Sequence, residues 1–458
     1  MAGLLAARVL ADHFEHVVVV ERDLLPEGAA DRKGVPQGRQ FHILLARGLA
    51  ILDRLFPGFD QELRAAGAVP LNFPADVLAL SATGWVDRRA RGWEALSATR
   101  PLIEATVRRR VRDLPGITVL DGYDATGLNV SSLGGRVEGV SVRRVDGSGD
   151  GLDIDADLVA DSAGRGSRAP VWLGELGYPA PEKTQVDSNI AYATRIVRIP
   201  AVPADWKAVM LMSQPPSMPR SGYLFPVEGD RWIVALIGAA GQHPPTDEEG
   251  FAAFIRSLRH PVIADTLQQA EPLTPIRGHR GTTNRRWHFD RMPRWPEQFL
   301  VLGDAACAFN PIYGQGMTTA AVAAECLTDC LWNQRRRHRD GDLDGLSVRF
   351  QRRLARATAD AWALSTGQDL RFPTTTGMRA GVVVRAQHRY QDRVGIATTE
   401  DPAVAVLYSR VLGMLERPTA LLRPHVLASV VRARAGGEDL GPLPRAEVPA
   451  PALADAGT

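Results

Sequence analysis

The stretch from residue 299 to 327 constrains the fold more than any other part of the chain. It reads FLVLGDAACAFNPIYGQGMTTAAVAAECL. A short apolar run suited to one buried strand leads directly into Gly303 and Asp304. The turn-forming residues that follow are Pro311, Gly314 and Gly316, and an Ala-rich helical stretch begins after them. We therefore predict a strand, an acidic turn, a glycine loop and a helix start, which together can bind a phosphate and ligand hydroxyls. The alternative is an ordinary connection with a solvated Asp.

The amino-terminal segment has the later parts of a dinucleotide-binding unit. An Ala-rich helix over the first ten residues precedes HVVVV (residues 16–20), and Glu21 lies 18 positions after Gly3. In such a unit a glycine fingerprint opens a helix, and an acid that binds ribose hydroxyls follows about 20 residues later. Gly3 fits the last glycine of the fingerprint, and Glu21 fits the acid. The first strand and the first two glycines are missing, so we expect the frame upstream of Met1 to encode them.

A second acidic turn occurs at residues 153–168, which read DIDADLVADSAGRGSR. A strand-like run ends at Asp161, and Gly164 and Arg168 follow. Residues 164–169 also match G-x-G-x-x-A, but Pro170 comes next and no buried strand with a terminal acid follows about 20 residues later. We therefore predict one dinucleotide site in the chain, without a separate domain for a nicotinamide cofactor.

Composition excludes several classes of protein. The chain has 458 residues, of which 45% are hydrophobic and 23% charged, as in globular proteins of two or three domains. A net charge of +2 with both signs interspersed gives no support for nucleic-acid binding. The three cysteines have neither CxxC spacing nor histidines at metal-ligand spacing, so we predict no metal site and a reducing, cytoplasmic location. No apolar run is long enough for a membrane span.

Strand-like segments between residues 189 and 237 predict an antiparallel sheet between the two halves of the nucleotide-binding part. The residues on these strands that could line an apolar pocket are Met210, Met212, Tyr223, Phe225 and Trp232. At alternating spacing such side chains are more often simple core. Arg39 and His42 lie just before a helix closed by Pro57, and either could face a ligand or be an ordinary surface, capping or core residue.

The Gly303-Asp304 turn and the Asp161 loop resemble two motifs of the FAD-dependent monooxygenases of the aromatic-hydroxylase (p-hydroxybenzoate hydroxylase-like) and epoxidase type. Residues 36–42 (PQGRQFH) look similar to polyether epoxidases of that group. The second motif departs from the family in having Asp161-Ser162 instead of Asp-Gly. The resemblance spans much of the chain and is specific to the family rather than to a substrate.

The resemblance implies a set of roles. Asp304 would bind the ribityl chain of FAD, and the glycine loop would run past the pyrophosphate and the flavin ring. Arg39 would reach the diphosphate, and Arg100 would lie close to the cofactor. The candidate cofactor-binding residues are Gly3, Glu21, Arg22, Arg39, Arg100, Asp161, Gly164, Arg168, Gly303, Asp304, Pro311, Gly314, Gly316 and Met317. No catalytic side chain is expected, because the chemistry belongs to the cofactor.

The predicted fold class is α/β, with a Rossmann-like FAD-binding domain, an inserted antiparallel substrate-binding sheet and a carboxyl-terminal helical region. The FAD-binding domain would comprise residues 1–70, 100–180 and 295–345, and the sheet domain residues 71–99 and 181–294. The helical region would span residues 346–435, followed by a disordered tail at 436–458. By resemblance, the function is oxidation of a small apolar aromatic or alkene substrate with FAD, NAD(P)H and O₂.

Three alternative functions compete, two of them flavoenzymes and the third from a different class. A flavin-dependent reductase of isoprenoid double bonds shares this fold, and SGYLFP (residues 221–226) is not far from its pocket signature. A flavin halogenase is disfavoured because its W-x-W-x-I-P motif is absent. A flavin-free scaffold protein is the third alternative, since half of the fingerprint is missing. Substrate identity, hydroxylation against epoxidation, NADH against NADPH and the oligomeric state do not follow from the sequence.

Overall fold

The computed structural model describes residues 1–131, 135–200, 204–434, 440 and 443–446. In chain order, its helices are α1 (Ala2–Leu10), α2 (Ala46–Leu55), α3 (Phe59–Ala65), α4 (Arg100–Arg112), α5 (Ala169–Glu175), α6 (Glu248–Arg256), α7 (Val262–Thr266), α8 (Gly316–Arg337), α9 (Leu346–Ala357), α10 (Ala359–Asp369), α11 (Val382–Glu400), α12 (Pro402–Leu412) and α13 (Pro424–Arg432).

The strands of the same residues are β1 (Val17–Glu21), β2 (Val69–Phe73), β3 (Val77–Ser81), β4 (Gly84–Trp85), β5 (Trp93–Ser97), β6 (Ile117–Asp121), β7 (Tyr123–Val130), β8 (Val137–Arg144), β9 (Leu152–Asp155), β10 (Val159–Asp161), β11 (Lys183–Val186), β12 (Ala191–Arg198), β13 (Ala208–Leu211), β14 (Arg220–Val227), β15 (Arg231–Gly238), β16 (Glu271–Pro272), β17 (Arg277–His279), β18 (Asn284–Trp287), β19 (Phe299–Val301) and β20 (Cys307–Ala308).

Two pairs of parallel strands lie beside α1. β1 pairs with β6, with Val17 opposite Ile117, and β10 pairs with β19, with Asp161 opposite Val301. α1 packs against β1, β10, α4 and the long helix α8. The largest hydrophobic core buries the α1 side chains of Leu4, Leu5, Ala6, Ala7 and Val9. Phe299, Leu300 and Val301 of β19 are fully buried, as the apolar run at 299–302 predicts for a parallel strand covered on both faces. In contrast, Val18 of β1 is 41% exposed, so the run at 16–20 forms a strand that is only partly covered.

An eight-stranded sheet of mainly antiparallel strands forms the second layer, in the order β16-β12-β15-β14-β13-β3-β4 with β17 pairing with β12. Side chains on β14 and β15 alternate between two cores. Phe225 and Ile233 face the apolar cluster that also contains Ile43, whereas Leu224 and Val234 face α6 and α7. The side chains alternate with a period of two because successive residues of a pleated strand point to opposite faces, and both faces of this sheet are covered.

The carboxyl-terminal helices α11, α12 and α13 share a smaller core of their own. Of the tail after residue 434, the structure describes residue 440, which packs on the α6–α7 core, and residues 443–446. Within that segment the carbonyl oxygen of Pro444 accepts a hydrogen bond from buried Arg88 at 2.9 Å. The remainder of residues 436–458 lies outside the described residues.

Among the described residues, no helix has the length and apolarity needed to cross a bilayer. The same residues likewise contain no group of three His, Cys, Asp or Glu side chains placed to hold a metal ion. The cysteines at 307, 326 and 330 are buried and free.

Candidate functional site

The start of α1 meets both acidic turns. Gly303 has φ of +62°, and a Cβ there would lie 2.6 Å from the Cβ of Ala2. A Cβ at Gly3 would lie 2.5 Å from Oγ of Ser162. Gly303 needs glycine because of its positive φ and its contact with Ala2, whereas a Cβ at Gly3 would force the Ser162 side chain to move. The structure thus brings together the helix start, the Asp161 loop and the Gly303-Asp304 turn, which are far apart in the sequence.

The Asp304 carboxylate is the central acceptor of the site. It is partly buried, and neither of its oxygens accepts a hydrogen bond from the residues that the structure describes, although its backbone oxygen accepts one from Arg285 Nη2 at 3.2 Å. Burial raises the pKa of Asp304, and the charges of Arg165, Arg100 and Arg285 oppose that rise. A partly buried carboxylate without a donor is costly, and ligand hydroxyls would supply the missing donors.

The charges of three guanidinium groups, those of Arg165, Arg100 and Arg285, act on the Asp304 carboxylate. Arg165 donates to the carbonyl oxygens of Thr283 at 2.7 Å and Phe309 at 2.8 Å. Arg285 donates to the carbonyl oxygen of Arg165 at 2.8 Å. The Nε–H groups of Arg100, Arg165 and Arg285 are buried without a hydrogen-bond partner among the described residues. Because Arg165 and Arg285 donate only to carbonyl oxygens, their charges are not neutralised by a carboxylate contact, and the region favours an anion.

Arg100 begins α4, and its side chain is 12% exposed. Its Nη2 lies 3.6 Å from Glu104, which also binds Arg32 Nη2 at 2.7 Å. Burial by itself lowers the pKa of Arg32, but Glu104 and Glu21 outweigh it, so the pKa is raised. Sequence reasoning missed Arg32 and Glu104, because neither stands in a recognisable motif.

Glu21 lies at the end of β1, as predicted. Its Oε1 accepts the backbone N–H of Asp23 at 2.9 Å, and its Oε2 lies 2.9 Å from Arg32. The Glu21 side chain is 30% exposed. The acid therefore sits in an internal ion-pair network and keeps part of its surface open to a ligand.

Three of the predicted arginines do not join this group. Arg22 is exposed on β1's end. Arg39 is 43% exposed and pairs with Asp31 at 2.9 Å. Arg168 is exposed, and its guanidinium lies 5.8 Å from the centre of the Trp172 ring. Their role in cofactor binding stays a prediction.

The Asp161 loop is held by its own acid. Asp161 is buried and accepts the backbone N–H of Ala163 at 2.8 Å and the hydroxyl of Ser167 at 2.6 Å. Burial raises its pKa, and these two donors act against the rise. Gly164 has φ of +69° and gives the loop its turn. The Asp161 carboxylate therefore shapes the loop, and the inward-facing side chain is Arg165, which the sequence motif did not single out.

The glycine loop forms a 3-10 turn at Pro311–Tyr313 before α8. Gly314 has φ of +64°, and a Cβ there would lie 3.0 Å from Cγ2 of Ile43. Gly316 opens α8 and faces open space. Met317 is buried in the main core, so its side chain packs rather than facing the site. The free N–H groups at the start of a 22-residue helix favour an anion.

His42 is a candidate site residue whose role the sequence left open. Its Nδ1 lies 2.8 Å from the carbonyl oxygen of Gln40, so Nδ1 carries the proton and donates. Burial, with the nearby charge of Arg100, lowers the pKa of His42 to about 3. Gln40 in turn bonds to Thr194 of β12 at 2.6 Å, which fixes this segment to the sheet. His42 is therefore a neutral imidazole whose Nε2 is an acceptor.

An apolar cluster lies between the glycine loop and the eight-stranded sheet. Phe41 stands 4.5 Å from Phe225 and 5.8 Å from Tyr223, measured between ring centres. Partly buried Met210, Met212 and Ile312 pack against the same cluster. Trp232, the remaining pocket candidate, packs on the opposite face of the sheet. Four of the five candidates thus share one face.

Comparisons with known proteins agree with this architecture. No protein-family model matches the chain. Protein Rv3254 of Mycobacterium tuberculosis (strain ATCC 25618 / H37Rv) is 33% identical over 426 residues, covering 91% of this chain and 88% of that protein. The flavin-dependent brominase Bmp2 superposes with a TM-score of 0.63 at 13% identity, covering 94% of this chain and 95% of its own.

A second solved structure is OxyS anhydrotetracycline hydroxylase from Streptomyces rimosus. It superposes with a TM-score of 0.59 at 17% identity, covering 91% of this chain and 75% of its own. Likeness at this level of identity concerns the fold, and it confirms the predicted α/β class with its Rossmann-like part, antiparallel sheet and carboxyl-terminal helices. By its identity and coverage, the chain belongs to the family of protein Rv3254.

Proposed function

We propose that this protein is an FAD-dependent oxidoreductase, and specifically a monooxygenase that uses NAD(P)H and O₂. The observation that carries the proposal is the Asp304 carboxylate, which has no hydrogen-bond donor among the described residues and lies among Arg100, Arg165 and Arg285. FAD offers both partners that such a site lacks, because it combines ribityl hydroxyls with an anionic pyrophosphate. The flavin-dependent structures that share the fold support the choice of cofactor.

Each part of FAD would have its own binding residues. Asp304 would accept hydrogen bonds from the ribityl hydroxyls, and Arg100 with the helix starts at Ala2 and Gly316 would hold the pyrophosphate. Glu21 would accept from a ribose hydroxyl with the part of its surface left open by Arg32. When bound, FAD supplies hydride and oxygen chemistry. The chain's own work is to bind, orient and exclude water.

The apolar cluster around Phe41, Met210, Met212 and Ile312 supports an apolar aromatic or alkene substrate. Its side chains offer dispersion contact and few polar groups, which suits a ligand that loses water on binding. We propose that residues 1–70, 100–180 and 295–345 bind FAD, that 71–99 and 181–294 bind the substrate, and that 346–435 form a helical region.

Labelled dioxygen tests the reaction class. The protein is loaded with FAD and incubated with NADH or NADPH under ¹⁸O₂, with a naphthol as aromatic probe and farnesol as alkene probe. Incorporation of one labelled oxygen atom into either probe supports monooxygenation. A reduced farnesol product that forms equally well without oxygen would instead support the double-bond reductase. Failure of the protein to retain FAD on a desalting column would contradict the cofactor assignment.

A further inference from the structure

A buried polar network ties α10 to the glycine loop. Asp369, the last residue of α10, is fully buried. Its Oδ1 accepts the hydroxyl of Tyr313 at 2.6 Å, and its Oδ2 accepts Nδ2 of Asn284 at 2.7 Å. Nδ2 of Asn310 lies 3.4 Å from both oxygens. A carboxylate from the carboxyl-terminal region therefore receives its donors from the loop and from β18, across 56 and 85 positions of sequence.

Asn310 connects the buried network to the backbone of the glycine loop through its own hydrogen bonds. Its own N–H donates to Oδ1 of Asn284 at 2.8 Å, and its Oδ1 accepts the N–H of Ile312 at 3.3 Å and the hydroxyl of Tyr192 at 3.2 Å. The bond to Ile312 sets the 3-10 turn at Pro311–Tyr313. Three residues after that turn, α8 begins at Gly316. The direction of the N–H groups at the start of α8 thus depends on the turn that Asn310 and Tyr313 hold.

We propose that Asp369 is a positioning residue for the bound flavin, which it serves by fixing Asn310 and Tyr313 and thereby aiming the amino-terminal N–H groups of α8. This inference rests on the proposed FAD-binding function. It differs from the direct contacts assigned to Asp304, because Asp369 lies behind the loop and acts through it.

Two physical facts support a role in the ionised form. Three donors converge on Asp369, and a carboxylate can accept all of them, whereas a protonated acid turns one oxygen into a donor. Among the described residues, none of the groups bonded to Asp369 is a cation. Burial, with a smaller contribution from the charge of Asp187, raises the pKa of Asp369 to about 6, although hydrogen bonds from Tyr313, Asn310 and Ser188 act against the rise. The carboxylate form is therefore lost just below neutral pH.

Other titratable groups near the network behave differently. Burial raises the pKa values of Tyr192 and Tyr313 well above 10, so both stay neutral. His279 faces the Tyr192 ring with a centre-to-centre distance of 6.5 Å, and burial lowers its pKa. Comparing the pH dependence of FAD binding between wild type and an Asp369 variant separates the titration of the carboxylate from that of this histidine.

The test is an FAD titration of the 458-residue protein, followed by quenching of flavin fluorescence between pH 5 and pH 8. We expect wild type to bind FAD more weakly as pH falls through about 6. Asp369→Asn should weaken binding about tenfold at pH 7.5, since the amide turns a donor toward its neighbours, and should flatten the pH profile. Asp360→Asn is the matched control, because Asp360 lies on the same helix and makes an exposed pair with Arg417.

Each result decides the question. A folded Asp369→Asn protein with wild-type affinity and pH profile would overturn the proposal. If Asp369→Asn does not fold, Tyr313→Phe decides, since it removes only the bond on the loop side. Weaker FAD binding by Tyr313→Phe supports the positioning role, and unchanged binding overturns it. Absence of FAD binding by wild type itself would overturn the proposed function and this inference together.

Discussion

Replacing Asp304 with alanine should separate cofactor binding from folding. In the free protein the carboxylate accepts no hydrogen bond from the described residues, and burial raises its pKa. A raised pKa means that the folded chain holds this proton more tightly than the unfolded chain, so stability falls as pH rises through the folded pKa. At pH 7.5 the carboxylate therefore costs folding free energy. We expect Asp304→Ala to leave the unfolding temperature of the FAD-free protein unchanged or higher.

Asp304→Ala should lower the affinity of the protein for FAD. A hydrogen bond from a ligand hydroxyl to a charged acceptor contributes about 1.5–3 kcal/mol. Its loss corresponds to a roughly 10- to 150-fold rise in the Kd for FAD. Fluorescence titration measures the affinity, and thermal unfolding without FAD measures the stability.

Asp290→Ala provides the matched control, because Asp290 also sits in a 3-10 turn, Phe289–Arg291, but outside the site. This control should change neither quantity appreciably. Wild-type affinity in Asp304→Ala would refute the role of the carboxylate. A marked loss of stability in the FAD-free variant would show that Asp304 holds the fold instead.

Two further predictions concern packing and pH. Gly3→Ala should lower the free energy of unfolding, measured in urea, by about 1–3 kcal/mol, because the new Cβ would meet Ser162 Oγ. The loss should be smaller when Ser162 is also replaced by alanine. Equal losses with and without Ser162→Ala would contradict the close contact. Because the pKa of His42 is lowered to about 3 from 6.5, the folded state resists its protonation, and stability is lost as pH falls below about 6.5. His42→Gln should therefore lose less stability than wild type between pH 7.5 and pH 5, and parallel losses would argue against a neutral imidazole at this position.

Some secondary-structure elements of this protein could be predicted from the sequence because they depend on local interactions. The run at 299–302, the Gly303-Asp304 turn and the glycines after it specify a strand, a turn and a helix start through interactions between near neighbours. The structure has β19, a turn, the 3-10 segment at Pro311–Tyr313 and α8 in that order. The alternating apolar pattern likewise predicted the sheet, because burial on a pleated strand has a period of two.

Only the tertiary structure decided which side chains meet. Arg285 of β18 donates to the backbone oxygen of Asp304, and the charge of Arg165, in the Asp161 loop, acts on the Asp304 carboxylate. Nothing in the sequence next to either arginine marks it for this role. The Asp369 carboxylate accepts a hydrogen bond from Tyr313, which lies 56 positions away in the sequence. Nothing in the sequence of α10 marks Asp369 for that contact. These meetings depend on how helices and sheets pack, and that packing is the sum of many weak contacts across the chain.

The same reasoning explains the arginines. Arg39, Arg100 and Arg168 have similar sequence contexts as single basic residues at element ends, yet Arg100 is 12% exposed beside Glu104 whereas Arg39 is 43% exposed beside Asp31. A long side chain can turn toward either solvent or interior, and the choice depends on which carboxylate the fold brings near it. Sequence determined the elements and the acids at their ends, and the packing of α1 against both acidic turns determined the site.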